Sequence, residues 1–124
     1  MTGRQKHILV VDDEPLAAQQ VSKFLETSDV RTSTAGSGRS AREIHHEDPA
    51  DLIVTDLRMP DGDGIELIRG IRAADPDLAI VVVTGQVLRE AESEALEAGA
   101  TELLRKPLDL QQLAAVVGRH LPRR

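Results

Sequence analysis

The sequence predicts an open α/β fold, in which a five-stranded, mostly parallel sheet carries helices on both faces. Three observations lead there. Short apolar, β-branched runs recur at about residues 7–11, 30–34, 51–55, 79–84 and 101–104. Helix-spaced apolar patterns lie between them. Two of the runs, in "DLIVTD" and "AIVVVTG", are nearly continuously apolar, which suits strands buried on both faces of a parallel sheet. Regular alternation of the two element types is the signature of that layered class.

The elements follow in order. "HILVV" is the first strand. Pro15 then opens a helix, because its missing N–H is one that a helix start leaves unpaired anyway. Leu16, Val21, Phe24 and Leu25 form the stripe expected to face the core. A weaker helix spans about 38–47, with Pro49 beyond its end. Ile65, Ile68, Ile71 and Arg72 sit on a third helix that "ADPD" closes. Residues 87–98 form a fourth, Ala-rich and acidic outside, stopped by Gly99. Asp109 caps a fifth, turning Leu110, Leu113, Ala114, Val117 and Leu121 inward. The 124 residues contain no internal repeat or linker, so one domain is expected over residues 5–121, with 1–4 and 122–124 as flexible ends.

Composition excludes several functions. With no Cys there is no disulfide framework, thiol chemistry or Cys-based zinc site. The net charge of -6 argues against direct nucleic-acid binding, which needs Lys and Arg against phosphates. The single aromatic residue, Phe24, provides no stacking platform. No apolar run reaches membrane-spanning length, and "MTGRQKH" lacks the apolar segment of a signal peptide. A soluble cytoplasmic protein with no membrane partner is the default expectation.

Chemistry gathers where such sheets bind ligands, at the carboxyl ends of the strands. Asp12 and Asp13 follow the first strand, Asp56 ends the third, Thr84 ends the fourth and Lys106 follows the fifth. Three carboxylates and one ammonium leave a net charge of about -2. Two like charges about 5 Å apart repel by roughly 3 kcal/mol at an effective dielectric near 20. Either a carboxylate holds a proton or a cation fills the gap. Mg²⁺, which takes one or two carboxylates and keeps several waters, is the natural filler.

Other signals are weaker. "PDGDGIE" fails calcium-loop spacing and reads as a turn, with Gly62 and Gly64 before the third helix. The histidines of "HHED", residues 45–48, point apart on a helix and read as a solvated helix end. The outer acids Glu90, Glu94 and Glu97 read as a solvated face.

"ILVVDDEP", "DLIVTDLRMPDGDGIEL", "IVVVTG" and "GATELLRKP" together resemble the receiver (response-regulator) domain of two-component signalling, of the chemotaxis-receiver type, over nearly the whole chain. The resemblance implies a doubly wound sheet of flavodoxin-like order 2-1-3-4-5. It implies that Asp56 accepts a phosphoryl group from a phosphohistidine on a sensor histidine kinase or phosphotransfer protein. Asp13, Asp56 and the backbone carbonyl of Arg58 would bind Mg²⁺, with Asp12 acting through a water. Lys106 would contact the phosphoryl oxygens, Thr84 would report the phosphate, and the Lys106–Pro107 peptide would be cis. Arg58 and Gln86 would flank the path of the hydrolytic water. The expected function is a phosphorylation-dependent switch, not an enzyme, whose surface around the fourth helix and fifth strand controls an output domain or partner. One departure stands out: Leu103 occupies a position where the family usually carries an aromatic switch residue. Two rivals belong to other classes. A small Mg-dependent phosphohydrolase would need a water-activating group, which the sequence does not offer. A degenerate receiver, binding without phosphate, would lack an acid, the Thr or the Lys, and all are present.

Overall fold

In chain order the elements are β1 (Lys6–Val11), α1 (Pro15–Leu25), β2 (Val30–Ala35), α2 (Gly38–Glu47), β3 (Leu52–Asp56) and the short β4 (Arg58–Met59). Then come β5 (Gly62–Asp63), α3 (Gly64–Ala74), β6 (Ala79–Thr84), α4 (Arg89–Ala98), β7 (Glu102–Arg105) and α5 (Leu110–His120). The computed structural model describes residues 5–59, 62–85 and 89–122, with backbone alone at 58–59, 62–63 and 89. The strands β2-β1-β3-β6-β7 form one parallel sheet in that order, and β4 and β5 pair as a separate antiparallel ribbon. Counting the sheet strands alone, this is the expected order 2-1-3-4-5.

Side-chain alternation divides the core into two layers. Leu9, Val11, Ile53, Ile80 and Val82 face one way and pack with Ala41, Ile65, Ile68, Ile71 and Ala95 of α2, α3 and α4. Ile8, Val10, Leu52, Val54, Val81 and Val83 face the other way and pack with Ala18 and Leu25 of α1 and Leu113, Val116 and Val117 of α5. All residues of β3 and β6 are buried, as their continuous apolar runs require. The Asp109 side chain caps α5, accepting from the N–H groups of Gln111 and Gln112.

The core face expected of α1 is corrected by the structure. Phe24 is 43% exposed and Leu16 is 74% exposed. The buried face instead runs through Ala18, Val21 and Leu25. At about 100° per residue, Leu16 lies roughly 200° round the helix from Ala18. Small Ala18, not the ring, faces the sheet. The solvated helix end expected at His45 is also revised. The His45 ring stands 2.9 Å from Asp75 Oδ2 through Nε2, and its Nδ1 accepts from the Ala50 N–H. Nδ1 therefore carries no proton, and the imidazole ties α2 to the end of α3.

Arg72 joins three elements at the opposite end of the sheet from the acids. Its guanidinium donates to Gly99 O at 3.1 and 2.7 Å, to Asp75 O at 2.9 Å and to Pro76 O at 3.0 Å. Gly99 ends α4 with φ of +121°, and a Cβ there would lie 2.8 Å from the Arg72 side chain. Glycine thus meets two needs at once, a left-handed backbone and room for the guanidinium. Arg72→Ala should cost about 2 kcal/mol, because the carbonyls lose charge-assisted partners. Arg72→Lys should not rescue it, since a point ammonium cannot span the fork. Urea unfolding measures both. A loss for Arg72→Ala below about 0.5 kcal/mol, the range of an ordinary surface change, would contradict this role.

Candidate functional site

The sheet brings the ends of β1, β3, β6 and β7 to one edge. Val11 pairs with Thr55, Asp56 with Val83, and Thr84 with Arg105. Asp12 therefore lies one residue past the Val11–Thr55 pair, Thr84 one past the partner of Asp56, and Lys106 one past the partner of Thr84. Asp12 is fixed at both ends of its residue: its N–H donates to Ala35 O at 3.0 Å, and its Oδ1 accepts from the Glu14 N–H at 2.9 Å. The second contact is an Asx turn, which aims the other carboxylate oxygen at the site.

Lys106 is the centre of charge. Its Nζ lies 2.7 Å from Asp56 Oδ2 and 4.0 Å from Asp12 Oδ2. Its backbone N–H donates to Thr84 O at 2.9 Å, and the following Lys106–Pro107 peptide is cis, as expected. The Thr84 and Asp56 residues are buried, with Asp56 8% exposed. A cleft of about 340 Å³ between α1 and α5, walled in part by Val10, Val21, Val54 and Leu110, reaches Asp12, Asp56 and Lys106. The Asp56 carboxylate is thus deep but not sealed.

The acids strain one another. Burial pushes the Asp12 carboxyl above its ordinary value; the charges of Asp56 and Asp13 push the same way, against the Glu14 N–H and Lys106. Burial alone would lower Lys106, but the hydrogen bond to Asp56 and the charges of Asp56, Asp12 and Asp13 outweigh it and hold the ammonium above its ordinary value. The edge therefore holds more negative charge than one lysine offsets. Among the described residues, no three acids or histidines stand in metal-ligand geometry; Asp56 is turned to Lys106 instead. The donor set is nonetheless all oxygen and anionic, which fits a hard divalent ion.

A stability prediction follows from Asp12. Its proton leaves at lower pH in the unfolded chain than in the folded one. Stability should therefore fall as pH rises from the ordinary aspartate value of about 3.9 through the higher folded value, and the penalty persists at neutral pH. In metal-free buffer at neutral pH, Asp12→Asn should stabilise the protein by about 1 kcal/mol, and the gain should shrink in acid. Unfolding at neutral and acid pH tests this; destabilisation at neutral pH would contradict it.

The structure thus brings Asp12, Asp56 and Lys106 into contact range, and Asp13 near enough for its charge to act on both Asp12 and Lys106. Thr84 stands on the neighbouring strand end. The Arg58 side chain and Gln86 lie outside the described residues, as do positions 86–88 of the loop into α4. Leu103 is partly buried against the α3–α4 layer. Some features escaped sequence reasoning. Arg105 Nη2 lies 2.7 Å from Glu92 Oε2, an ion pair between β7 and α4. And the Thr55 hydroxyl, within an apolar run, donates to the Asp56 carbonyl; its one signal is a lone polar residue in "LIVTD".

Residues 8–118 match the family profile described as the response regulator receiver domain. The chain is 36% identical over 115 residues to the response regulator protein PilR of Pseudomonas aeruginosa, covering 93% of this chain and 26% of that protein. It is 34% identical over 113 residues to the transcriptional regulatory protein ZraR of Klebsiella oxytoca, covering 91% and 26%. The chain spans about a quarter to a half of the length of the curated relatives it matches. Among solved structures, a response regulator receiver domain protein from Methanospirillum hungatei aligns with a TM-score of 0.90 over 94% of both chains at 25% identity. A response regulator receiver protein from Pseudomonas putida aligns with a TM-score of 0.87 at 31% identity, covering 95% of this chain and 99% of that one. No helix among the described residues is long and apolar enough to cross a membrane.

Proposed function

This chain belongs to the response regulator receiver domain family, and from that membership we propose that it is a phosphorylation-dependent switch with Asp56 as phosphoacceptor. One observation carries the assignment to Asp56: its buried carboxylate ends a central strand with the Lys106 ammonium at 2.7 Å. The donor is a phosphohistidine on a sensor histidine kinase or a phosphotransfer protein. An Asp56 oxygen forms the new O–P bond as the N–P bond breaks, and the imidazole leaves with a proton. Two anions must meet in that step, so preorganised positive charge matters most. Lys106 supplies part of it. Mg²⁺, held by Asp13, Asp56 and the Arg58 carbonyl, with Asp12 acting through a water, would neutralise the rest.

The switch follows from charge. The phosphoryl group replaces one negative charge by roughly two and adds strong acceptors. Thr84 and Lys106 then gain a stronger partner than Asp56 alone, and that difference can shift a two-state equilibrium. Lys106 N–H is bonded to Thr84 O, so the two responses are coupled. The chain has no aromatic at position 103, and Leu103 already packs partly against the core. The signal therefore rests on Thr84 and the segment into α4, and it reaches an output domain or partner through the α4–β7 surface. The receiver spans residues 5–121 and acts as a regulated acceptor with, at most, autodephosphorylation of its own.

Intact-mass measurement tests the proposal. With Mg²⁺ and a small acyl phosphate, the protein should gain one phosphoryl group, and a chelator should prevent the gain. A generic phosphomonoester should not turn over. Calorimetry should show that Asp13→Asn weakens Mg²⁺ binding more than Asp12→Asn. Phosphomonoester turnover would favour a hydrolase, and no uptake with the native donor or its mimic would favour a phosphate-independent module.

A further inference from the structure

The acceptor's own backbone is clamped. The Thr55 hydroxyl, fully buried, donates to the carbonyl oxygen of Asp56 at 2.9 Å. Gly64 also presses on the same peptide: a Cβ there would lie 2.4 Å from Asp56 O and 2.9 Å from Leu57 Cα. The Gly64 N–H also donates to Leu57 O at 2.7 Å. Gly64 does not have the positive φ that Gly99 has, so glycine is needed here for space, not for backbone freedom.

We infer that Thr55 and Gly64 are positioning residues for phosphoryl transfer, holding the Asp56–Leu57 peptide so that the Asp56 carboxylate and the Arg58 carbonyl keep a fixed relation. The inference rests on the assignment of Asp56 as acceptor. The peptide concerned lies between the attacking side chain and the backbone oxygen assigned to the metal. A change in ψ of Asp56 or φ of Leu57, the two dihedrals that flank that peptide, swings the Arg58 carbonyl relative to the Asp56 side chain. A misplacement of about 1 Å can cost on the order of a hundredfold in rate, even from a residue that never touches the reacting atoms. A hydroxyl that merely satisfies its own burial would have no such effect, because valine has the same shape and no group to satisfy.

Three variants separate the two roles: Thr55→Val, Thr55→Ser and Gly64→Ala. The measurements are the initial rate of phosphoryl uptake from a small acyl phosphate, the Mg²⁺ dissociation constant by calorimetry, and the thermal midpoint. Thr55→Val should unfold no earlier than wild type, yet take up phosphate about tenfold more slowly and bind Mg²⁺ more weakly. Thr55→Ser should lose midpoint, having lost a buried methyl, while keeping a rate near wild type. Gly64→Ala should be slower than Thr55→Val. Rates that follow midpoints across the variants, or a Thr55→Val protein with wild-type rate and Mg²⁺ affinity, would overturn the inference alone. A wild-type protein that takes up no phosphoryl group would overturn it together with the acceptor assignment.

Discussion

Protein carrying Asp56→Asn should take up no phosphoryl group from a small acyl phosphate in Mg²⁺, under conditions in which the wild type gains one. The amide has the carboxylate's shape, so β3 and its neighbours keep their packing. What disappears is the nucleophile, because an amide oxygen carries no net charge and its lone pair is shared with the nitrogen. The 2.7 Å ion pair with Lys106 disappears as well. No other acid can easily replace Asp56. Asp12 stands behind Lys106 at 4.0 Å and holds its proton more tightly than an ordinary aspartate, chiefly because of burial. Asp13 is exposed beyond the strand end. Intact mass before and after incubation decides the matter, and uptake at the wild-type rate would place the acceptor elsewhere.

The second large effect concerns Lys106, and its two readouts should move in opposite directions. Lys106→Met keeps the apolar stem and removes the charge. Phosphoryl uptake should fall about a hundredfold, the usual cost of losing one preorganised electrostatic partner at a reacting oxyanion. Mg²⁺ should bind more tightly, because Asp56 Oδ2 is released and three carboxylates then face the ion with no competing ammonium. Calorimetry and the uptake rate test this together. If both measures fall, Lys106 holds the acids in place instead of balancing their charge.

How much was legible in the sequence depends on the kind of contact. β3 and β6 were clear because continuous apolar, β-branched runs have few other uses, and Asp109 was clear because an N-cap is local chemistry. The strand-end acids were clear because fold class alone places strand ends together. α1 was misread at Phe24 and Leu16: the largest apolar side chains were assigned to the core, whereas the face that packs against the sheet is set by Ala18, Val21 and Leu25. A stripe containing an alanine is a poor signal. The Thr55 and Gly64 contacts were hidden for a different reason. They depend on which carbonyl a hydroxyl or a Cα approaches, and that is set by how β3 turns into α3. The ties from Arg72 to Gly99 and from Arg105 to Glu92 join residues on separate elements, with no periodicity to reveal them.

The central claim is that a buried strand-end carboxylate, balanced by Lys106 and a divalent ion, accepts the phosphoryl group. The most direct test is to locate that group. An acyl phosphate on aspartate can be reduced to an alcohol, which marks the residue permanently for peptide mass analysis. Wild-type protein incubated with Mg²⁺ and a small acyl phosphate, then reduced and digested, should carry the mark at Asp56, and protein incubated with chelator should carry none. A mark at Asp12, Asp13 or any other residue, or equal marking of Asp56 without divalent metal, would contradict the account.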